Sequence, residues 1–366
     1  VARNSCGDEL SVGGGAVAFG ACGRFFEVGT WHLIETLNPD VATVVSTDGE
    51  YKDWNSVARL FPKQASDLNA KLVRTVAQVR ETLDRVDLTW TSEKSKELFR
   101  VVAIPVIGPF SEAHGIQLWT GSPGEDEGQP RPCSGVAWLL SDFMIHQTLQ
   151  SGAMSGVDPK EWDPVATPAE YIHRSVQFDD ELEFVKMAIE PTPGQSMNTQ
   201  FSVRHDAGHI MQWQVVLRTN PDSDQPGWRV LFQDVSDVYP ASSPTLAQVG
   251  LTEGLRGIGY HVALFHAQNG LLGLWISPAA DWMEWQFTHL TGPVIDPADL
   301  ETFKEATARL RAGSTEEFVT LGLRTRDLEY VKSSLRISPF KKENHEVDEN
   351  LVLVQISTIE GQDPFA

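Results

Sequence analysis

The chain repeats itself at a distance of about 120 residues. Leu182-Glu183-x-x-Lys186-x-Ala188 returns as Leu300-Glu301-x-x-Lys304-x-Ala306, and Phe201-Ser202-Val203-Arg204 returns as Leu321-Gly322-Leu323-Arg324. Val230-Leu231-Phe232-Gln233 likewise returns as Val352-Leu353-Val354-Gln355. The offset drifts only from 118 to 122 residues, which turns of different length absorb. Such a period is too long for a solenoid unit and suits a whole small domain. At 366 residues the chain has room for two or three such domains, each with its own core.

Charge limits the partners. A formal charge of −21 repels a phosphate backbone unless a basic face is concentrated locally. Lys341-Lys342 is followed at once by Glu343, Glu346, Asp348 and Glu349, so nucleic acid is not an expected partner. The three cysteines (Cys6, Cys22, Cys133) have no metal-ligand spacing and suit a reducing cytoplasm. No apolar run is long enough to span a membrane. Residues 12–22 (VGGGAVAFGAC) imitate a signal h-region but lack a clear basic segment ahead of them. The chain starts at Val1, which fits an alternative start codon or a start placed too far upstream, and residues 1–28 read as a flexible lead-in.

Turn and linker signals divide the rest. Residues 121–132 (GSPGEDEGQPRP) and 239–244 (YPASSP) are rich in Gly, Pro and Ser. They divide the chain into a first module at 29–121, a linker at 122–133, a second module at 134–238, a linker at 239–246 and a third module at 247–360. The first module opens at Trp31 to Leu37, continues in a short β-branched run at 41–45 that ends at the turn signal Asp48-Gly49, and predicts strands at 99–107 and 115–119. Between them Leu68, Leu72, Val76, Val79, Leu83 and Val86 recur at helical spacing behind Asp67 as a candidate N-cap. The second module predicts a strand at 136–140, helices at 169–173 and 180–189, and strands at 198–204, 209–218 and 228–234, with turns at 206–208 and 220–227. The third repeats the plan, with strands at 261–265 and 271–275, a helix at 297–311, and strands at 317–324, 329–337 and 351–359. The order β-β-α-α-β-β-β predicts an α+β fold, one antiparallel sheet per module with helices on one face and a pocket between them.

That order resembles a PAS domain. Tyr171-Ile172-His173 ahead of Phe178-Asp179-Asp180-Glu181 is similar to the I-H-P-D-D stretch of that family, with the Pro missing. Val230 to Ser236 is similar to its last strand and exit. Asp296-Pro297-Ala298-Asp299 and Val352 to Ser357 hold the same places in the third module. The first module lacks the acidic helix signature and looks more like a GAF domain. With Trp31-His32-Leu33-Ile34-Glu35-Thr36-Leu37 as the nearest local echo, the set resembles mycobacterial sensor-only proteins joining one GAF and two PAS domains without an effector. The resemblance implies signal integration or scaffolding and brings no catalytic residues with it.

Sharper readings fail on context. The flavin-photoreceptor stretch N-C-R-F-L-Q is missing, since Cys6 lies in the lead-in and Cys133 at a module boundary. His173, on a predicted helix, could be a haem ligand but holds a place where PAS domains carry a structural histidine. His205 and His209 have H-x-x-x-H spacing, yet Asp206-Ala207-Gly208 between them reads as a hairpin turn, so they read as turn-flanking residues. His261 and His266 lie five apart in a strand and make a poor ligand pair. Gly13-x-Gly15-x-x-Ala18 follows no strand, and Cys6-Gly-Asp-Glu-Leu10 has no cyclase domain ahead of it. No nucleophile elbow, phosphate loop or kinase histidine box occurs. Trp275, Trp282, Trp285 and Phe287 could form an aromatic cage but read as core or seam. The expectation is therefore a cytoplasmic, non-catalytic sensor or scaffold with no predicted cofactor, metal or catalytic residue. Its partners would be an unknown protein and a possible small-molecule ligand. The alternatives are a small-molecule binding protein using one pocket, and a divergent enzyme.

Overall fold

Alternation along the strands gives each sheet two faces, and in every module at least one of them is buried in a hydrophobic core. In the computed structural model the described residues are 29–357, apart from 140, 181–182, 185–186, 188–191, 220–226, 247–248, 251–252, 255–259, 287–292 and 342–346. The expected lead-in at 1–28 lies outside them. The first sheet holds β1 (Thr30–Glu35), β2 (Thr43–Thr47), β3 (Glu50–Ser56), β4 (Val86–Thr91), β5 (Leu98–Ile107) and β6 (Ala113–Gly121), in the order β3-β2-β1-β6-β5-β4. The helix α1 (Asn69–Thr82) lays Leu72, Val76 and Val79 on Ile34, Val101, Ile116 and Leu118 of one face.

Three details here correct the sequence reading. Asp67 does not cap α1; its carboxylate accepts from Ser92 Oγ and Glu93 N, and the N-cap is Leu68. The helix stops at Leu83, which turns left-handed at φ 59°, so Val86 belongs to β4 rather than to the helix. The strand β3 was not predicted, because EYKDWNS, with no buried residue, is an edge without apolar alternation.

The second sheet holds β7 (Cys133–Leu139), β8 (Ile145–Gln147), β9 (Val165–Ala166), β10 (Ser175–Gln177), β11 (Ser196–Arg204), β12 (Ile210–Thr219) and β13 (Gly227–Asp234), in the order β10-β11-β12-β13-β7-β8-β9. Between its strands lie α2 (Leu149–Met154), capped by Thr148, and α3 (Pro168–Ile172). The helix expected at 180–189 falls largely outside the described residues, as does the turn at 220–227. The third sheet holds β14 (Tyr260–His266), β15 (Leu272–Trp275), β16 (Glu317–Arg324), β17 (Tyr330–Lys341) and β18 (Val347–Ser357), with α4 (Leu300–Arg311) on one face.

Every sheet places the module's first strand beside its last: β1 with β6, β7 with β13, β14 with β18. The repeated Val230 to Gln233 and Val352 to Gln355 lie on the last strands of the second and third modules. The architecture is three antiparallel sheets with few helices, richer in strand than the α+β fold the sequence suggested. The four α-helices described from end to end are 14, 6, 5 and 12 residues long. None is long and apolar enough to cross a membrane.

The first two sheets pack back to back. On the face opposite α1, Leu33, Leu37, Val45 and Val106 meet Cys133, Val216 and Leu231 of the second sheet. Close approach depends on glycine: a Cβ on Gly115 would lie 2.7 Å from Leu231 Cδ2, and one on Gly135 would lie 2.8 Å from His114 Nδ1. The residues between β6 and β7 are held down as well. Arg100 and Arg85 pair with Glu127, and Trp31 Nε1 donates to Glu127 O at 2.7 Å. The third sheet turns Leu264, Leu274, Leu351 and Leu353 towards the core of the second module, and their strand neighbours Ala263, Val352 and Val354 towards α4.

Candidate functional site

The central module contains two adjoining cavities, with Tyr171 and Phe201 in the lining of both. The first, about 60 Å³, is wholly apolar and lies inside the core among Trp138, Phe178, Phe184, Met187, Trp228 and Phe232. It is smaller than the 150 Å³ or so that a benzene-sized guest occupies. The second, about 150 Å³, is mixed and opens between α2, α3, the loop ahead of β9 and the strands β11 and β12. Gln286 of the third module closes one side.

Local sequence builds the second cavity. Thr167-Pro168-Ala169-Glu170 is a capping box: Thr167 Oγ1 accepts from Glu170 N, and the Glu170 carboxylate accepts from Thr167 N. The box fixes Glu170 in the wall, where burial and then the charges of Asp163 and Glu284 raise its pKa to about 7, against the backbone hydrogen bond from Thr167. Tyr171, one residue on, has its hydroxyl 2.6 Å from Ser151 Oγ, and burial pushes its pKa up. Ser151 Oγ in turn donates to Gln147 Oε1, and Gln147 Nε2 to Asp163 O. Arg174 is committed to Asp206 at 2.5 Å. Trp162 and the buried Trp213 complete the walls, and neither indole N–H meets an acceptor among the described residues.

A dense polar set joins the first and second modules. The fully buried Glu35 carboxylate takes Arg218 Nη2 at 2.9 Å and Nε at 3.2 Å, Thr43 Oγ1 at 2.6 Å and Leu37 N at 3.1 Å. The Trp54 ring covers Arg218 at 4.1 Å. Gln214 Nε2 donates to Val45 O at 2.9 Å. His114, fully buried, donates from Nδ1 to Val230 O at 2.8 Å, with its Nε2 2.8 Å from Glu112. Cys133 lies in this layer, where burial raises its thiol pKa to about 12. Cys6 and Cys22 lie outside the described residues.

The other residues singled out from sequence fall apart spatially. His173 caps α3, with Nδ1 donating to Glu170 O, and meets the Trp285 edge at 5.0 Å. His205 and His209 stack at 4.3 Å across the turn from β11 to β12, and His205 Nδ1 accepts from Ala207 N. His261 donates to Pro278 O, and the His266 ring lies tilted against Phe143 with centroids 4.8 Å apart. Trp275, Trp282 and Trp285 pack on the third core, with Trp285 reaching the second module; Phe287 is outside the described residues. Sequence reasoning missed Glu170, Trp162, Glu35 and Arg218. The capping-box spacing of Thr167 and Glu170 was a readable signal for the first of these.

Comparisons with known proteins support this architecture. Residues 30–130 match the family described as Rv3651-like, N-terminal. No curated protein matches the chain. A crystal structure of an uncharacterised protein from Mycobacterium tuberculosis overlays with a TM-score of 0.70 at 20% identity, covering 90% of this chain and 96% of that one. That likeness shows the fold. Two looser overlays are with a sensory box histidine kinase/response regulator from Burkholderia thailandensis and an RNA-binding light-oxygen-voltage receptor. The first has a TM-score of 0.23 at 18% identity, over 29% of this chain and 79% of that one. The second has 0.24 at 11%, over 62% and 96%.

Proposed function

We propose that the chain is a non-catalytic sensor or scaffold of tandem GAF-like, PAS and PAS modules, in which the interior of the central module is the responsive element. The observation that carries this reading is the central sheet's double engagement. Its outer face is half of the layer shared with the first module, while its core meets the third sheet. The cavities lie between these contacts, beside α3, whose Ala169 packs into the third module's core. A ligand that reshapes the α3 wall would therefore shift the third module's seam while the first stays fixed, a rigid-body mode of signalling.

Thermal-shift screening of the full chain against a metabolite panel, followed by hydrogen exchange on any hit, tests the reading. A ligand should raise the midpoint by mass action and protect α3 and β15. No shift with any compound, and no stable protein partner in a pull-down, would sink it.

A further inference from the structure

The mixed cavity has a charge balance that selects its guest. Glu161, Asp163 and Glu170 line it, and Glu284 acts on Glu170 from the third module. The basic groups facing it are already engaged: Arg174 holds Asp206, the His173 Nδ1–H goes to Glu170 O, and Arg324, whose charge reaches Glu170 and Glu284 from the third module, donates to the Glu284, Pro293 and Gln286 carbonyls. The walls are the aromatic side chains of Trp162, Trp213, Tyr171 and Phe201, and the volume of about 150 Å³ suits one ring.

We propose that this cleft binds a small planar organic cation, its ring between the indoles and its charged head on Glu170. The proposal rests on the central module being ligand-responsive and names the class of ligand. Aromatic faces favour a cation, and a carboxylate in a half-buried wall pairs with a planar donor head at short range. The bland role of Glu170 is its capping box, but that box needs an acceptor rather than a charge, and glutamine serves it equally. Charge and cap can therefore be separated by one substitution.

The probes are benzamidine, neutral benzamide and anionic benzoate, titrated calorimetrically into the full chain at pH 6 and pH 8. Benzamidine should bind, and roughly tenfold more tightly at pH 8, because Glu170 must ionise to receive it. Glu170→Gln should weaken benzamidine at least tenfold at pH 8 and remove the pH dependence, with the circular dichroism spectrum unchanged. Trp162→Leu, which leaves the cap alone, should weaken it as well. Benzamide or benzoate binding as tightly as benzamidine would mean that the unpaired indole donors choose the ligand, and would overturn the proposal. So would wild-type affinity in Glu170→Gln, or no binding of benzamidine. A panel compound of another class protecting α3 would in that case leave the sensor reading standing.

Discussion

The two seams of the central module are built on different principles. Towards the first module, two sheet faces meet through aliphatic side chains, and between them the fully buried Glu35 carboxylate accepts from the largely covered Arg218 guanidinium, a threonine hydroxyl and a backbone N–H. Towards the third, contact runs through the leucines that the third sheet turns inwards, the short α3, aromatic rings and an incompletely filled cavity. Even the unmet polar atoms differ: acceptors such as Gln214 Oε1 and Gln233 Oε1 remain at the first seam, whereas indole donors line the second. A seam with a buried charge pair tolerates one geometry, because any slip exposes one charge to an apolar layer. A seam of leucines, rings and empty volume holds no such pair among the described residues and can be repacked at lower cost. Movement is therefore expected at the third module's side.

Removing the Arg218 guanidinium disrupts the rigid seam most. Arg218→Ala leaves Glu35 buried and unpaired and should cost about 3–5 kcal/mol in urea unfolding, with Glu35→Gln/Arg218→Met much closer to wild type. A loss under about 1 kcal/mol in the single variant would mean that this seam is not the fixed one.

Next come two opposing pH arms. His32, between Thr47 Oγ1 and Thr120 Oγ1, has its pKa lowered to about 4 by burial and then by Lys52. Its unfolded value is about 6.5, so the unfolded chain binds the extra proton first, and stability falls as pH drops from about 6.5 to 4, by about 3 kcal/mol in full. Glu170 has the opposite sign. Its folded pKa lies above the unfolded value, so the folded chain holds the proton longer and stability falls as pH rises from about 4.5 to 7. Unfolding midpoints across pH should show His32→Asn flattening the acid arm, and Glu170→Gln gaining about 1–3 kcal/mol relative to wild type at pH 8. Equal pH profiles for all three proteins would remove the contrast.

At the soft seam a single substitution has a modest global effect. Trp285→Ala should cost only about 1–2 kcal/mol globally. Hydrogen exchange should nevertheless rise at α3 while β12 and β13 keep their protection. Uniform loss of protection would mean that the two seams open together.

Much of this fold was legible because long strands alternate. β12 and β18 place apolar residues on both faces, and their hairpin partners are set by turn residues such as Asp206-Ala207-Gly208. The edges were not legible, since β3 carries no apolar pattern and α2 (LQSGAM) is too short and glycine-bearing for a helical period to show. The helix end at Leu83 lacked the glycine that usually marks a left-handed cap. The site was less legible still. Glu170, Trp162 and Trp213 converge from a helix, a loop and a strand, and only tertiary packing brings them together. The repeat also concealed a divergence. Arg204 is exposed, while its counterpart Arg324 is buried and donates to Glu284 O, Pro293 O and Gln286 O, holding the segment that bears Trp285.

The pairing of first strand with last also governs how such a chain can grow. Thr30 lies opposite Thr120, Cys133 opposite Gln233, and Tyr260 opposite Ser357, so the peptide leaves each module next to where it came in. A unit with adjoining ends can be copied in series, excised or grafted into another chain without rethreading its neighbours. Under tension the same layout has a mechanical cost. A pull on the two ends would peel the middle pair of strands apart one rung at a time, so each module would open from its centre like a zip.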